Sequence, residues 1–437
     1  MANAVSTEFL VFAADITPRL TYILDTLSGG RAKLITDLDA ANGQTILINY
    51  SSQPISDSLQ IFPHGLLAEK DIREQDTGCF DWNGLKAFFK TEGDIPFDIF
   101  SAAFYLLSRY EEYLPFTPDI YGRYPHTASL AYKENFLDQP LVNNWLQELD
   151  AEIVNRFPGT AARFLYSRFR YIPTYDIDIA YAYRYQPVWK NVGAFFRDLL
   201  RGKIDKVLER GNVYSGNAKD PFDSFSWLDE LHARFRLKPV FFLLTIIRRG
   251  FYDKNLNANS KGLQRLYNRL ASIYVTGLHP SWRSGDEEAL LLEEKIKLEG
   301  IVKHKVFISR NHYLRFTLPH SYRRLIDAEM TDDHSMAYGT INGFRASYAL
   351  PFRWYDLERE LATHLVVHPF CYMEANSFFQ QHYTPEEALK EMQRYHDAVK
   401  KINGEFITLF HNHFLTTQPE WAEWRKMYET FLINNFS

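Results

Sequence analysis

The 437-residue sequence has only two cysteines, Cys79 and Cys371, which lie far apart in the chain. Such a pair does not indicate the disulfide framework of small secreted domains. The net charge of −5 at neutral pH offers no basic surface for nucleic acid. No stretch approaches the roughly 20 apolar residues that a membrane-spanning helix needs, and no internal repeat or low-complexity tract is present. The sequence thus favours neither a nucleic-acid-binding protein nor a membrane-spanning one.

The first twenty residues, MANAVSTEFLVFAADITPRL, contain no basic segment before their apolar residues and carry Glu8 and Asp15. A secretory signal peptide normally begins with a basic segment and continues with an uninterrupted apolar one. We therefore predict a soluble, cytoplasmic protein.

The composition is that of a globular protein, with 46% hydrophobic and 24% charged residues. The length suggests two domains. Residues 1–164 mix short predicted strands with helices, and we predict a smaller α/β domain there. The aromatic share of 16% is high and suits both a thick core and a cleft that faces carbohydrate.

From residue 165 to residue 437 the pattern changes. Six short apolar runs, the first RYIPTYDID and the last EFITLFHNHF, alternate with longer amphipathic stretches. A strand followed by a helix, repeated along the chain, indicates parallel βαβ units. The pattern predicts a β/α barrel or a large open sheet.

Five of these runs are apolar at the start and carry polar side chains at the end. In a parallel β/α fold the carboxyl ends of the strands open on one face, so these side chains are expected to meet there. Carboxylate and imidazole together form the ligand set of zinc and related ions. The simpler interpretation is that the aspartates cap a helix and that each histidine is a satisfied core residue. The side chains concerned are Asp176, Asp178, His279, Arg310, His312, His368, His411 and His413.

Four of these segments resemble, in order and spacing, the motifs of the polysaccharide deacetylases (carbohydrate esterase family four). The region before them, with FDIFSAAFYLLSRYEEY, resembles the N-terminal domain of a bacterial subgroup of that family. The four motif-like segments are Thr174-Tyr175-Asp176-Ile177-Asp178, Gly277-Leu278-His279-Pro280-Ser281, Gly343-Phe344-Arg345-Ala346 and Leu409-Phe410-His411.

The resemblance implies a (β/α)7 barrel of the deacetylase type over residues 165–437, with one divalent metal ion, for which we predict zinc. Asp176 would be the general base that activates the attacking water, and His411 the general acid that protonates the leaving amine. Asp178 and His279 would be metal ligands, and Arg345 would orient the catalytic aspartate.

One position departs from the family pattern, because Arg283 stands where the family has a second metal-binding histidine. Two protein ligands are too few for a tight catalytic zinc site. We predict that His312 supplies the third ligand; the alternative is that its imidazole hydrogen-bonds a loop carbonyl. Arg283 would instead hold an anionic group of the substrate. The other predicted substrate-binding residues are Trp282, Arg310 and His368.

These features lead to one main functional hypothesis and two others. The main hypothesis is a metal-dependent amidohydrolase, acting on C–N bonds other than peptide bonds, that removes an N-acyl group, with acetyl preferred, from an amino sugar of a glycan. The alternative is a catalytically inactive carbohydrate-binding relative that has lost the metal. A third hypothesis is a hydrolase of another C–N bond. The expected partner is a carbohydrate substrate, with no nucleic acid and no membrane span.

Overall fold

A computed structural model of the chain describes residues 9–40, 46–160 and 163–436. The first part of the chain forms a four-stranded parallel sheet with the strand order β2-β1-β3-β4. The central strand β3 is buried along its whole length, as expected for a parallel strand covered on both faces. The strands of this region are β1 (Phe9–Ala13), β2 (Ala32–Ile35), β3 (Ile46–Tyr50), β4 (Leu59–Gln60), β5 (Phe80–Trp82) and β6 (Leu85–Ala87).

Four helices belong to the same region. The side chain of Asp98 accepts a hydrogen bond from the backbone N–H of Ser101 and so caps the start of α2, as the sequence predicts. Helix α2 is buried on all sides, which explains why it is apolar throughout rather than amphipathic. The helices are α1 (Pro18–Ser28), α2 (Ile99–Leu107), α3 (Leu130–Lys133) and α4 (Leu141–Arg156).

The rest of the chain forms a nine-stranded sheet with the order β12-β13-β11-β10-β9-β8-β7-β15-β14. Every strand pair in it is parallel except β12 with β13. The strands are β7 (Arg170–Ile177), β8 (Val240–Leu244), β9 (Val275–His279), β10 (Ile308–Ser309), β11 (Asp332–Asp333), β12 (Phe352–Asp356), β13 (Leu361–Val367), β14 (Tyr372–Met373) and β15 (Glu405–His411).

Helices connect most of these strands and confirm the predicted alternation of strand and helix. Strand pairing within the described ranges runs from β12 to β14 without joining these two edges, so a closed ring of strands is not formed there. The fold is therefore a mixed α/β fold with a largely parallel sheet. The helices are α5 (Val188–Leu200), α6 (Ile204–Ser215), α7 (Phe225–Arg234), α8 (Lys261–Ile273), α9 (Glu288–Val302), α10 (His320–Asp327), α11 (Pro385–Lys401) and α12 (Ala422–Phe436).

The two sheets are joined by buried contacts. The hydroxyl of Tyr22 on α1 donates to the carbonyl of Arg353 at 2.8 Å, and its ring packs on Tyr355 with the centroids 4.8 Å apart. A single cluster of buried apolar side chains extends through both sheets. The predicted boundary near residue 164 falls between the two sheets, and the independence of the two domains stays a prediction. None of the described helices is long and apolar enough to span a bilayer.

Candidate metal and catalytic site

The carboxyl ends of neighbouring strands in the large sheet bring the predicted site residues together. Asp176 in β7 is level with His411 in β15, and Leu244 in β8 is level with His279 in β9. Strand β10 follows β9 in the sheet, and His312 lies just beyond its end. Since parallel strands are about 5 Å apart, side chains from the strand ends can meet in one place.

Three side chains form a group suited to hold a metal ion. The ligand atoms of Asp178, His279 and His312 all lie within 4.8 Å of one another. Nε2 of His279 is 3.2 Å from Oδ1 of Asp178, and Nε2 of His312 is 3.4 Å from Oδ2 of the same carboxylate. The structure thus brings His312 to the position that the sequence predicts for a third ligand.

The other ring nitrogen of each histidine is engaged by a neighbour. Nδ1 of His279 is 2.5 Å from the carbonyl oxygen of Arg310, and Nδ1 of His312 is 2.9 Å from Oδ1 of Asp253. When Nδ1–H donates to these oxygens, the lone pair is on Nε2, which faces Asp178 in both rings. Metal-binding histidines in proteins are oriented in this way.

The charges around Asp178 also fit a cation. Its Oδ1 is buried, and no donor reaches it with hydrogen-bond geometry. Nε2 of His279 lies 3.2 Å from it, and a metal ion would satisfy this buried oxygen. Burial raises the pKa of Asp178, but the imidazoles of His312 and His279 outweigh burial and hold that pKa well below the usual range. One carboxylate and two imidazoles therefore fit a catalytic zinc site that keeps positions for water and substrate.

The buried carboxylate of Asp176 is held by Arg310. Nη1 of Arg310 donates to Oδ1 of Asp176 at 2.9 Å and to the hydroxyl of Thr174 at 2.8 Å, while Nε donates to the carbonyl of His334. The guanidinium lies over the ring of Phe242, with Cζ 4.2 Å from the ring centre. Arg310 was predicted to bind substrate, but its contacts make it a group that orients Asp176.

Arg345 does not have the predicted place beside Asp176. Its Nε and Nη2 donate to the carboxylate of Glu112, and its Nη1 donates to the carbonyl of Ala337. All three nitrogens are thus engaged, and the pair with Glu112 is almost fully buried. The prediction that Arg345 orients the catalytic aspartate is wrong because Arg345 joins its own segment to the N-terminal region.

On the other side of Asp178 lies His411, which is paired with Glu374. Nδ1 of His411 is 2.8 Å from Oε1 of Glu374, and Nε2 is 3.5 Å from Oδ2 of Asp178. Burial by itself lowers the pKa of His411, but the Glu374 carboxylate offsets this effect and raises the pKa to about 9. A raised pKa favours the protonated imidazole, which is the form that can donate a proton.

Two further predicted substrate-binding residues lie elsewhere. The guanidinium of Arg283 pairs with Glu287, four residues later, and its side chain is 44% exposed. Nε2 of His368 donates to Oδ1 of Asp332 at 2.8 Å, and the imidazole stacks on that of His334. Neither lines the cavity described next. Arg283 begins a short helical turn that directs its side chain to Glu287, so the prediction that it binds an anion of the substrate lacks support.

A cavity of about 650 Å³ opens onto the site. It contains Asp176, Asp178, His279, His312 and His411 in its lining. Trp282 packs behind it against the ring of Tyr252, with the ring centroids 4.2 Å apart. Aromatic and aliphatic side chains form most of the remaining lining, among them Tyr121, Tyr252, Tyr313, Leu314, Met373, Phe379, Leu409 and Phe414.

Several residues of the site could not be identified from the sequence. Asp253 and Glu374 each orient one histidine of the site. Both lie in connections between strands, where an acidic side chain is usually exposed to solvent. Tyr121 and Arg123 come from the N-terminal region, and no motif connects them to the strand ends. Only the folded chain shows these long-range neighbours.

Comparison with known proteins gives limited matches. Residues 9–158 match a family of unknown function (DUF7033). No curated protein matches the chain. Among solved structures, the chain is similar to a protein from Mycobacterium smegmatis described as a polysaccharide deacetylase, with 12% identity and a TM-score of 0.38. It is also similar to Puue allantoinase, with 10% identity and a TM-score of 0.36. Each similarity covers 62% of this chain and 85% of the other. At these scores, neither establishes the family.

Proposed function

We propose that the protein is a metal-dependent hydrolase that removes an N-acyl group, acetyl in the first instance, from an amino sugar of a glycan. One observation carries the proposal. No donor reaches the buried Oδ1 of Asp178 with hydrogen-bond geometry, and the Nε2 atoms of two oriented histidines face the same carboxylate, at 3.2 and 3.4 Å. The motif resemblance described above supports the choice of an amide on a sugar.

Asp178, His279 and His312 would hold the ion, with zinc proposed from the ligand types. When bound, zinc polarises a carbonyl oxygen and lowers the pKa of water. The buried partners Asp253 and the Arg310 carbonyl keep the two imidazoles turned towards the ion. The site thus needs little reorganisation to accept the metal.

In this proposal Asp176 is the general base. Its Oδ1 is engaged by Arg310, and its Oδ2 lies 3.5 Å from Nε2 of His279. The carboxylate lines the cavity. A carboxylate fixed in this way can accept a proton from a water molecule that attacks the amide carbonyl, provided that the two lie within hydrogen-bond reach.

In this proposal His411 is the general acid. Glu374 holds the ring through Nδ1, so the Nε2–H faces the cavity side of the site. An amide nitrogen is a poor leaving group until it is protonated, and a protonated imidazole can supply that proton. The base and the acid thus stand on different strands, β7 and β15, whose ends are adjacent.

The inactive carbohydrate-binding alternative depended on the arginine at the expected ligand position. His312 restores a set of three candidate ligands, and Arg283 points to Glu287 instead. No observation in the structure therefore favours the loss of the metal. A hydrolase of a C–N bond outside sugars would use the same metal ligands. The choice of substrate in the following experiment distinguishes this hypothesis from deacylation of a sugar.

The test is acetate release from the N-acetylglucosamine tetramer by protein loaded with zinc. We expect release that a chelator abolishes, that added zinc restores, and that Asp176→Asn removes without loss of bound zinc. Arg283→Ala is the matched control, and it should keep its activity. The zinc-loaded protein could release no acetate from the tetramer and yet hydrolyse a cyclic or peptidic amide. That result would show that the substrate class is not an amino sugar. Activity that survives complete metal removal would contradict the proposal.

A further inference from the structure

A loop of the N-terminal region reaches the cavity of the candidate site. Tyr121 and Arg123 line this cavity together with Asp178 and His312. Both loop residues lie within the stretch that matches a family of unknown function, over residues 9–158. The cavity is thus built by two parts of the chain that are distant in sequence.

The loop is fixed by Asp119. Its Oδ1 accepts hydrogen bonds from the backbone N–H groups of Tyr121 and Arg123, each at 2.9 Å. Its Oδ2 accepts from Nε of Arg123 at 2.8 Å. An aspartate that closes a turn onto the backbone two residues ahead gives a short loop a definite shape.

Arg123 connects the loop to the candidate metal site. Its side chain is almost fully buried, and its Nη1 donates to the carbonyl of Tyr313 at 2.7 Å. Tyr313 has a backbone φ of 60°, which is unusual for a residue with a side chain, and it directly follows His312. The guanidinium lies against Gly339, where a Cβ atom would come within 1.9 Å of Nη1. The loop is therefore anchored beside the ligand residues.

The anchored loop completes a cluster of four aromatic rings. The ring of Tyr121 lies 5.5 Å from Tyr313, 5.9 Å from Tyr252 and 5.8 Å from Trp282, measured between centroids. Three of these rings follow successive strands of the large sheet, and only Tyr121 comes from the N-terminal region. All four are partly exposed. Three of them, Tyr121, Tyr252 and Tyr313, line the cavity, and partly exposed rings at a cavity wall are typical of ligand-binding surfaces.

The geometry points to a sugar-binding wall to which the N-terminal region contributes Tyr121. In this proposal, which rests on the proposed function, the Tyr121 ring packs on the C–H face of a pyranose next to the one whose amide is cleaved. The ligand class is an oligosaccharide, because the Tyr313 ring lies 4.7 Å from that of His312 and the Tyr121 ring a further 5.5 Å from Tyr313, so that a second sugar unit can reach Tyr121. Tyr121 is a substrate-binding residue that sets the preference for longer chains, and Arg123 positions the loop.

Binding is measured by calorimetry on the full-length chain in the presence of a chelator, so that no turnover occurs. The probes are N-acetylglucosamine and its tetramer. We expect Tyr121→Ala to weaken binding of the tetramer by about fivefold, the size expected for one stacked ring, and to leave binding of the monomer unchanged. Tyr121→Phe, which keeps the ring, should bind the tetramer like the unaltered protein. Tyr132→Ala removes a 41% exposed tyrosine of the same region that is not among the cavity-lining residues, and it is the matched control.

Two outcomes would contradict the proposal of a sugar-binding wall. One is equal tetramer affinity for Tyr121→Ala and the unaltered protein, with unchanged thermal unfolding. The other is no tetramer binding by the unaltered protein. The proposed function is tested separately by acetate release with zinc. If the tetramer binds in a way that depends on Tyr121 but no acetate is released, the sugar-binding wall is supported and the proposed hydrolase activity is contradicted.

Discussion

Replacing His312 by alanine should weaken zinc binding far more than replacing Arg283 by alanine. His312 is nearly fully buried, and both of its ring nitrogens face carboxylates, Nδ1 at 2.9 Å from Asp253 and Nε2 at 3.4 Å from Asp178. The first contact orients the ring and the second marks the position of the ion. Arg283 has neither contact and is partly exposed.

The size of the effect follows from the role of each residue. Loss of an outer group that orients a ligand costs roughly 10–100-fold in metal affinity, so Asp253→Asn should fall in that range. Loss of the ligand itself should cost more, at least about 100-fold, which corresponds to about 2.7 kcal/mol. Arg283→Ala should change the affinity by no more than about twofold.

The measurement is competition for zinc between each variant and a chelating dye at one fixed pH. Metal-free samples of all variants are first compared by circular dichroism and thermal unfolding, because removal of His312 also leaves two carboxylates without their partner. If His312→Ala binds zinc as tightly as the unaltered protein, the assignment of the third ligand is refuted. A large loss in Arg283→Ala would refute it equally.

Three further predictions concern other parts of the structure. Arg310→Lys should lower kcat for acetate release by at least about tenfold with zinc affinity unchanged, because a lysine cannot hold both Asp176 and its neighbours; equal kcat would contradict this role. Glu112→Ala should lower the free energy of unfolding by about 3–5 kcal/mol, measured by denaturation, because it leaves Arg345 buried without a carboxylate and leaves Arg109 with Glu111 alone. Burial lowers the pKa of His232 to about 4. Stability should therefore fall as the pH falls from about 6.5 towards 4, by about 2.5 kcal/mol at pH 4.5, and His232→Gln should lose less over this interval.

The sequence was sufficient to predict how the metal ligands converge. The alternation of apolar runs and helices predicts parallel strands, and the carboxyl ends of parallel strands share one edge of the sheet. Asp178, His279 and His312 each come at the end of such a run, and the structure brings their ligand atoms within 4.8 Å. Convergence of the strand ends follows from strand period and connection direction, which are local properties of the chain, whereas the choice of Asp178 and His279 as ligands rested on the family resemblance.

The arginine that holds Asp176 could not be chosen from the sequence in the same way. Arg310 and Arg345 both follow apolar residues, and both become almost completely buried. Which carboxylate each one faces depends on packing between segments more than a hundred residues apart, Arg310 with Asp176 and Arg345 with Glu112. Glu112 itself lies on a segment that reads as a solvated charged turn, although it is buried between two arginines.

His312 and Arg283 differ in how the fold holds them relative to the proposed ligand His279. Two metal ligands on one loop can move together. Two ligands on separate strands stay at a fixed distance only if the strands themselves stay at a fixed distance. Here the turn after β10 is tied to β9 by hydrogen bonds from the N–H of Arg310 to the carbonyl of Leu278 and from the N–H of His312 to the carbonyl of Pro280. His312 therefore keeps a fixed distance from His279 although 33 residues separate them in sequence. In the proposed ligand set, His312 is therefore held by the sheet, whereas Arg283 lies on the loop after β9 and pairs with Glu287.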